Sequence, residues 1–162
     1  MAKRFIPTYT KNDVYQITPE FLKETGTDAL ILDLDDTLVE HNCTDFPATL
    51  SGWIKTMRDS NISLVILSNN KKKRIAPLAA QLNIRFIHRG LKPMTVGYSR
   101  ALVALGVPKE RTLAVGDQLF TDIWGANRAG IRSLLVNPVS DKATFFIRLK
   151  RRLEKRLTRG TV

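Results

Sequence analysis

The sequence predicts an α/β protein: a doubly wound parallel sheet with helices crossing over on both faces. Three observations carry this. Short apolar runs recur at 29–34, 63–67, 84–87, 112–115 and 133–136, and each reads as a strand buried on both faces. Segments of helical length lie between them, at about 48–60, Lys72–Leu82, Thr95–Leu105 and 121–129. Polar, chemically capable residues follow the apolar runs directly, at the strand ends where open parallel sheets bind ligands.

The elements follow in order. Residues 1–28 read as a leader packed on the core, with a short helix near Pro19–Glu24. The core runs from 29 to 140. Pro47 and Pro93 stand where helices can begin, and Gly106 and Gly130 where they can end. Strand–helix–strand repetition requires right-handed crossovers and a parallel sheet. Residues 141–162 differ in composition and read as a basic amphipathic helix.

Composition narrows the class. A chain of 162 residues makes one domain, and 43% hydrophobic with 25% charged residues excludes a wholly disordered chain. A single cysteine, Cys43, excludes an internal disulfide framework and a cysteine-based zinc site. No apolar run approaches the length of a spanning helix, and Met1 to Asn12 carry no apolar h-region, so a cytoplasmic protein without a secretory signal is expected. Lys and Arg number 26 against 15 Asp and Glu, a net charge of +11. That excess points to a polyanionic partner: a phosphorylated substrate, an anionic membrane or a nucleic acid.

Four strand ends carry the chemistry. The first is followed by Asp33, Asp35, Asp36 and Thr37, and the second by Ser68, Asn69 and Asn70. Lys92 and Pro93 follow the third, and Gly116, Asp117 and then Asp122 the fourth. In a parallel sheet these ends share one edge. Asp33, Asp35 and Asp117 make an oxygen-only site suited to a hard cation such as Mg²⁺. Beside that cation Asp33 can attack phosphorus to form an aspartyl-phosphate. Asp35 can serve as general acid and then general base. Thr37, Ser68, Asn69 and Lys92 are candidates for holding phosphate, Lys92 as a point charge on oxygens that gain charge during transfer. Taken singly, Ser68 also fits a turn, Lys92 a solvated lysine, and Asp122 a helix N-terminal charge.

These residues resemble the haloacid dehalogenase-like (HAD) phosphatases. Asp33, Asp35 and Thr37 match the family's Asp-x-Asp-x-Thr motif. Ser68 matches its second motif, Lys92 its third, and Asp117 with Asp122 its fourth. The resemblance spans about 29–136 and implies a magnesium site made by the Asp33 carboxylate, the Asp35 backbone carbonyl and Asp117. Asp122 would reach the metal through water or orient Lys92. The gaps from Thr37 to Ser68 and from Ser68 to Lys92 leave no room for a cap domain beyond a small flap near 40–46, so the site should be open and capless and the substrate bulky. The segments at 116–122 and 92–94, with Asn127, Arg128 and the leader Phe5-Ile6-Pro7, resemble the YqeG-type subgroup of subclass IIIA. That subgroup is similar to phosphatidylglycerophosphate phosphatases, which implies an anionic lipid substrate. A phosphatase for nucleotides, nucleic-acid ends or phosphoproteins is the alternative. A basic RNA- or membrane-binding module is a third reading, which leaves the motif set without a purpose.

The tail holds eight basic residues (Lys142, Arg148, Lys150, Arg151, Arg152, Lys155, Arg156 and Arg159) against Glu154. At roughly 100° per residue, Phe145, Phe146, Leu149, Leu153 and Leu157 share one face. Two readings fit it: a helix lying on an anionic membrane at the inner face of the cell, or a helix docked on the core. RNA binding has less support. Lys71, Lys72, Lys73 and Arg74 open a helix against its macrodipole, which calls for a local reason. They and Arg89 are candidates for attracting phosphate. His41 and His88 have no zinc-spaced partner, Cys43 no base, and Trp53 and Trp124 read as packing residues.

Overall fold

The structure, a computed structural model, describes residues 2–140. The amphipathic tail proposed for 141–162 lies outside the described residues. Six strands form one all-parallel sheet: β1 (Tyr9–Thr10), β2 (Ala29–Leu32), β3 (Ser63–Leu67), β4 (Arg85–Ile87), β5 (Thr112–Gly116) and β6 (Arg132–Leu135), in the order β1-β6-β5-β2-β3-β4. The chain winds outward from β2 through β3 to β4, then returns to β5 and winds the other way to β6. The switch in strand order therefore falls between β2 and β5, paired from Ala29 with Thr112 to Leu32 with Val115.

All four β2 residues are buried, and their alternation divides the core in two. Leu30 and Leu32 face one layer with α2 (Ala48–Asp59), α3 (Lys72–Leu82) and the leader residues Val14, Ile17 and Leu22. Ile31 faces the other, with Tyr98 and Ala101 of α4 (Thr95–Leu105) and Ala126 of α5 (Trp124–Arg128). Trp53 on α2 is buried and donates its indole N–H to the Ile17 carbonyl at 2.9 Å, tying the leader to the core. Trp124 is half-buried against Phe5, with ring centroids 5.3 Å apart. The short helix α1 spans Pro19–Glu24.

Three elements depart from the sequence reading. The leader supplies a strand, β1, whose two residues are too few to show any periodicity. The first core strand ends at Leu32, not at 34, because the chain turns out of the sheet: the Leu38 N–H bonds the Leu34 carbonyl at 2.9 Å, and Asp36 takes φ 62°. Aspartate tolerates that left-handed conformation, as few non-glycine residues do. The helix expected over 121–129 is a π-helical turn, Leu119–Ile123, that runs into α5. A π turn inserts a residue and so re-aims a side chain; here that side chain is Asp122.

Candidate active site

Asp33 leaves β2 with its N–H bonded to the Val115 carbonyl at 2.9 Å, and Asp117 follows β5. The two acids thus straddle the switch point, where such sheets place ligands. Asp122 comes down onto the end of β5. Its carboxylate accepts the Gln118 N–H at 3.0 Å and occupies the space a side chain at Gly116 would take, so only glycine fits there. One oxygen from each of Asp33, Asp117 and Asp122 lies within 4.8 Å of the others.

Lys92 enters from the loop after β4. Its ammonium is 2.5 Å from Asp33 Oδ1 and 2.6 Å from Asp122 Oδ1, with 4% of the side chain exposed. Burial alone would pull the lysine pKa down; Asp122 and Asp33 more than reverse this and hold it above its ordinary value. Thr37 Oγ1 lies 3.1 Å from both Asp33 Oδ2 and Asp117 Oδ1, so one hydroxyl proton faces two carboxylates. Tyr98 donates its phenol to the Asp122 carbonyl at 2.9 Å; burial and then the Asp122 charge push its pKa up.

The charges do not balance. Three carboxylates and one ammonium leave an excess of negative charge in a buried site. Burial, partly opposed by Lys92 and reinforced by Asp122, raises the Asp33 pKa to about 7. Burial, then the charges of Asp33 and Asp122, raises that of Asp117 to about 8. A divalent cation, which prefers oxygen donors, neutralises this excess, so the donor set fits one. Raised folded-state pKa values favour the protonated carboxyls. Without the ion, the contribution of these two acids to stability is greatest below about pH 4, the ordinary carboxyl value, and is lost as pH rises through 7 to 8. A divalent cation should therefore raise the melting temperature by several degrees near pH 9 and much less near pH 5.5, where protons already neutralise the acids. Equal shifts at both pH values, read by circular dichroism, would contradict this charge accounting.

Asp35 points elsewhere. Its Oδ2 accepts from Asn70 Nδ2 at 2.5 Å and its Oδ1 from Arg74 Nη2 at 2.7 Å, while His41 Nδ1 stands 3.9 Å away. Arg74 also donates to the Cys43 carbonyl at 2.5 Å, joining Asp35 to the flap. These contacts give Arg74, of the four cations at the start of α3, a local reason. The Cys43 thiol is 2.8 Å from the Asp45 carbonyl. Ser68 is buried; its Oγ accepts the Asn70 N–H at 3.1 Å. Asn69 turns away from the acids. Its amide accepts the Lys92 N–H at 2.7 Å and donates to the Lys92 carbonyl at 3.0 Å, which makes it a positioning group for the Lys92 backbone. Arg89 is exposed, with φ 47°, and its N–H bonds the Asn70 carbonyl at 2.9 Å. Sequence reasoning missed Asn70, Arg74 as a partner of Asp35, and Tyr98. An open groove of about 470 Å³ begins at Thr37 and runs between the leader and the flap, lined by Val14, Leu38, Val39, Phe46, Pro47 and Val139. Among the described residues no cap domain covers the edge.

A parallel sheet with an acid cluster at its switch point and a lysine bridging two of those acids defines a Rossmann-like α/β protein with a ligand site at the carboxyl edge of its sheet. Comparison makes the assignment specific. The profile of the HAD-hydrolase-like family matches residues 91–143. A probable phosphatase, YqeG, of Bacillus subtilis (strain 168) is 36% identical over 157 residues, 97% of this chain and 91% of that protein. The chloroplastic/mitochondrial phosphatidylglycerophosphate phosphatase 1 of Arabidopsis thaliana is 26% identical over 92% of this chain, which spans 46% of that protein's length. The 4-nitrophenylphosphatase of Thermotoga maritima shares the fold at a TM-score of 0.59 and 13% identity, over 72% of this chain and 88% of that one. The chain belongs to the HAD-like phosphatases of the YqeG type.

Proposed function

We propose that the enzyme is a magnesium-dependent phosphatase that removes the terminal phosphate of phosphatidylglycerophosphate at the cytoplasmic face of the membrane, by way of an aspartyl-phosphate. The observation that carries the mechanism is the convergence of Asp33, Asp117, Asp122 and Lys92 on one open sheet edge.

When bound by Asp33, Asp117 and the Asp35 backbone carbonyl, with Asp122 nearby, Mg²⁺ supplies positive charge against the carboxylates and the phosphoryl group. An Asp33 carboxylate oxygen attacks phosphorus. The phosphorus–ester oxygen bond breaks, and Asp35 gives its proton to the departing alkoxide. Asp35 then takes a proton from water, whose oxygen attacks phosphorus and releases phosphate with Asp33 restored. Ser68 accepts from the Asn70 N–H and so can donate its own proton to a phosphoryl oxygen. Lys92 offsets charge on the same group, and Thr37, within hydrogen-bond distance of both, orients the Asp33 and Asp117 carboxylates.

Arg74 and Asn70 act as positioning residues for Asp35. Arg74→Met is expected to slow hydrolysis of alkyl phosphates by about 10²-fold, at the low end of what a general acid contributes. It should slow 4-nitrophenyl phosphate much less, since that leaving group departs without a proton. Arg74→Lys should recover part of the loss. Equal losses on both substrates would mean that Arg74 serves only the fold.

The lipid substrate is supported by the uncapped edge and by the activity for which the Arabidopsis relative is named. The experiment is a phosphate-release screen with Mg²⁺ in detergent micelles, setting phosphatidylglycerophosphate beside sugar phosphates, nucleotides and a phosphopeptide. Preferred turnover of the lipid is expected; comparable turnover of small sugar phosphates would overturn this substrate.

A further inference from the structure

We infer that the rim of the active-site edge is a docking face for an anionic lipid bilayer, with Leu91, Met94 and Phe120 entering the interface and Lys71, Lys72, Lys73 and Arg89 contacting lipid phosphates. This rests on the lipid-substrate reading above and specifies which surface meets the membrane.

The apolar part is unusual in its position. Leu91 is 60% exposed, Met94 53% and Phe120 64%. Leu91 and Met94 flank the buried Lys92 on one loop, closed by a bond from the Met94 N–H to the Leu91 carbonyl at 2.7 Å. Phe120 stands two residues before Asp122. The two loops adjoin, because Pro93 lies against Gly125, just beyond the π turn that carries Phe120. Phe5 supports Phe120 from the side, with ring centroids 5.3 Å apart. The three exposed apolar residues thus lie on the two adjoining loops that supply Lys92 and Asp122.

The backbone adds a second observation. Leu91 has φ 54° and Arg89 φ 47°. Holding a leucine in the left-handed region costs about 1–2 kcal/mol, and such strain clusters at functional sites. In this conformation Leu91 stays 60% exposed, so little burial offsets the strain.

Charge selects the partner. Between Asp59 and Glu110 the chain holds no acidic residue, and this stretch supplies Lys71, Lys72, Lys73 and Arg89. All four are exposed, and the bond from the Arg89 N–H to the Asn70 carbonyl brings Arg89 beside the turn that leads into α3. Three lysines at the start of α3 work against its macrodipole, which fits a role outside the helix. Glu40 and Asp45 bear the opposite charge on the flap, on the other side of Asp35 from α3. Apolar anchors, two aliphatic and one aromatic, on the same sheet edge as exposed cations suit an anionic bilayer. Single-stranded nucleic acid instead uses aromatic platforms for stacked bases. Docked on this rim, a headgroup phosphate meets the site without leaving the membrane plane.

The test uses the full chain and sedimentation with vesicles of phosphatidylcholine alone or mixed with phosphatidylglycerol. Binding should require the anionic lipid and weaken with salt. Leu91→Asn with Met94→Gln should lower vesicle affinity by about tenfold or more, from lost apolar burial, and Lys71→Gln with Lys72→Gln and Lys73→Gln by a similar factor. Both variants should hydrolyse saturating 4-nitrophenyl phosphate at the parent's rate and melt at or above its temperature, since asparagine accepts the left-handed conformation and the lysines oppose the α3 macrodipole. The docking face is overturned if the parent does not bind, if binding ignores lipid charge, if the variants bind like the parent, or if they lose only affinity for single-stranded RNA. Absent phosphatidylglycerophosphate hydrolysis in micelles, with vesicle binding intact, would instead overturn the substrate.

Discussion

Replacing Asp33 by asparagine is expected to remove phosphate release almost completely and to leave the protein folded. The amide is no nucleophile, and losing a covalent nucleophile costs about 10⁴-fold or more in rate. Its size is unchanged, so the turn after β2 keeps its bond to the Val115 carbonyl. Stability should respond in the opposite direction from activity. The Asp33 pKa stands at about 7 in the folded chain, above the ordinary 3.8, chiefly through burial. A raised carboxyl pKa contributes stability below the unfolded value and loses it as pH climbs through the folded one. Near pH 8, without divalent ions, ionised Asp33 therefore disfavours the fold, and asparagine removes that penalty while Lys92 keeps Asp122. The variant should melt at or above the parent's temperature near pH 8 and with little difference near pH 5. Phosphate release within about tenfold of the parent, a barrier change of only about 1.4 kcal/mol, would remove Asp33 from the role of nucleophile.

The parts of this molecule legible in its sequence are those that local chemistry dictates. Apolar runs such as 29–32 must be buried on both faces, which forces a parallel sheet, and acids placed just after such runs are carried to its edge. Helix ends were readable where the backbone turns left-handed at a residue that tolerates it, as at Gly106 with φ 66°. What was not legible depends on distant contacts or on a single residue's offset. The strand at Tyr9–Thr10 exists because β6 offers it an edge, not because of its own pattern. The π turn at Leu119–Ile123 differs from an α-helix by one inserted residue, which a 3.6-residue period cannot register, yet it aims Asp122 at Lys92. Asn69 and Asn70 look alike in sequence. After a strand, successive side chains diverge, so one amide holds the Lys92 backbone and the other the Asp35 carboxylate. Arg74 reads as the last member of a charge run, and only the packing of α3 beside the first turn gives it a separate partner.

Lys92→Met should damage both catalysis and stability, and the pH dependence separates the two causes. Among the described residues the ammonium is the single cation contacting Asp33 and Asp122, and it is almost wholly enclosed. Methionine fills much the same volume, so packing is kept while the charge is lost. Removing one partner of a buried ion pair costs about 3–5 kcal/mol, because the charge left behind remains out of water. For a chain of this size that corresponds to a melting temperature lower by about 10 °C. The deficit should be largest near pH 8, where the acids ionise, and shrink near pH 5, where protons replace the ammonium. A divalent cation should recover part of it by taking over the same excess charge. It should not restore hydrolysis, since Lys92 also offsets charge on the transferring group, and losing such a group costs about 10²–10³-fold. Circular dichroism melts at the two pH values, with and without the ion, read the first effect; phosphate release from a soluble ester reads the second. A melting temperature near pH 8 within about 2 °C of the parent's, less than 1 kcal/mol, would mean that the acid cluster is neutralised by something other than this lysine.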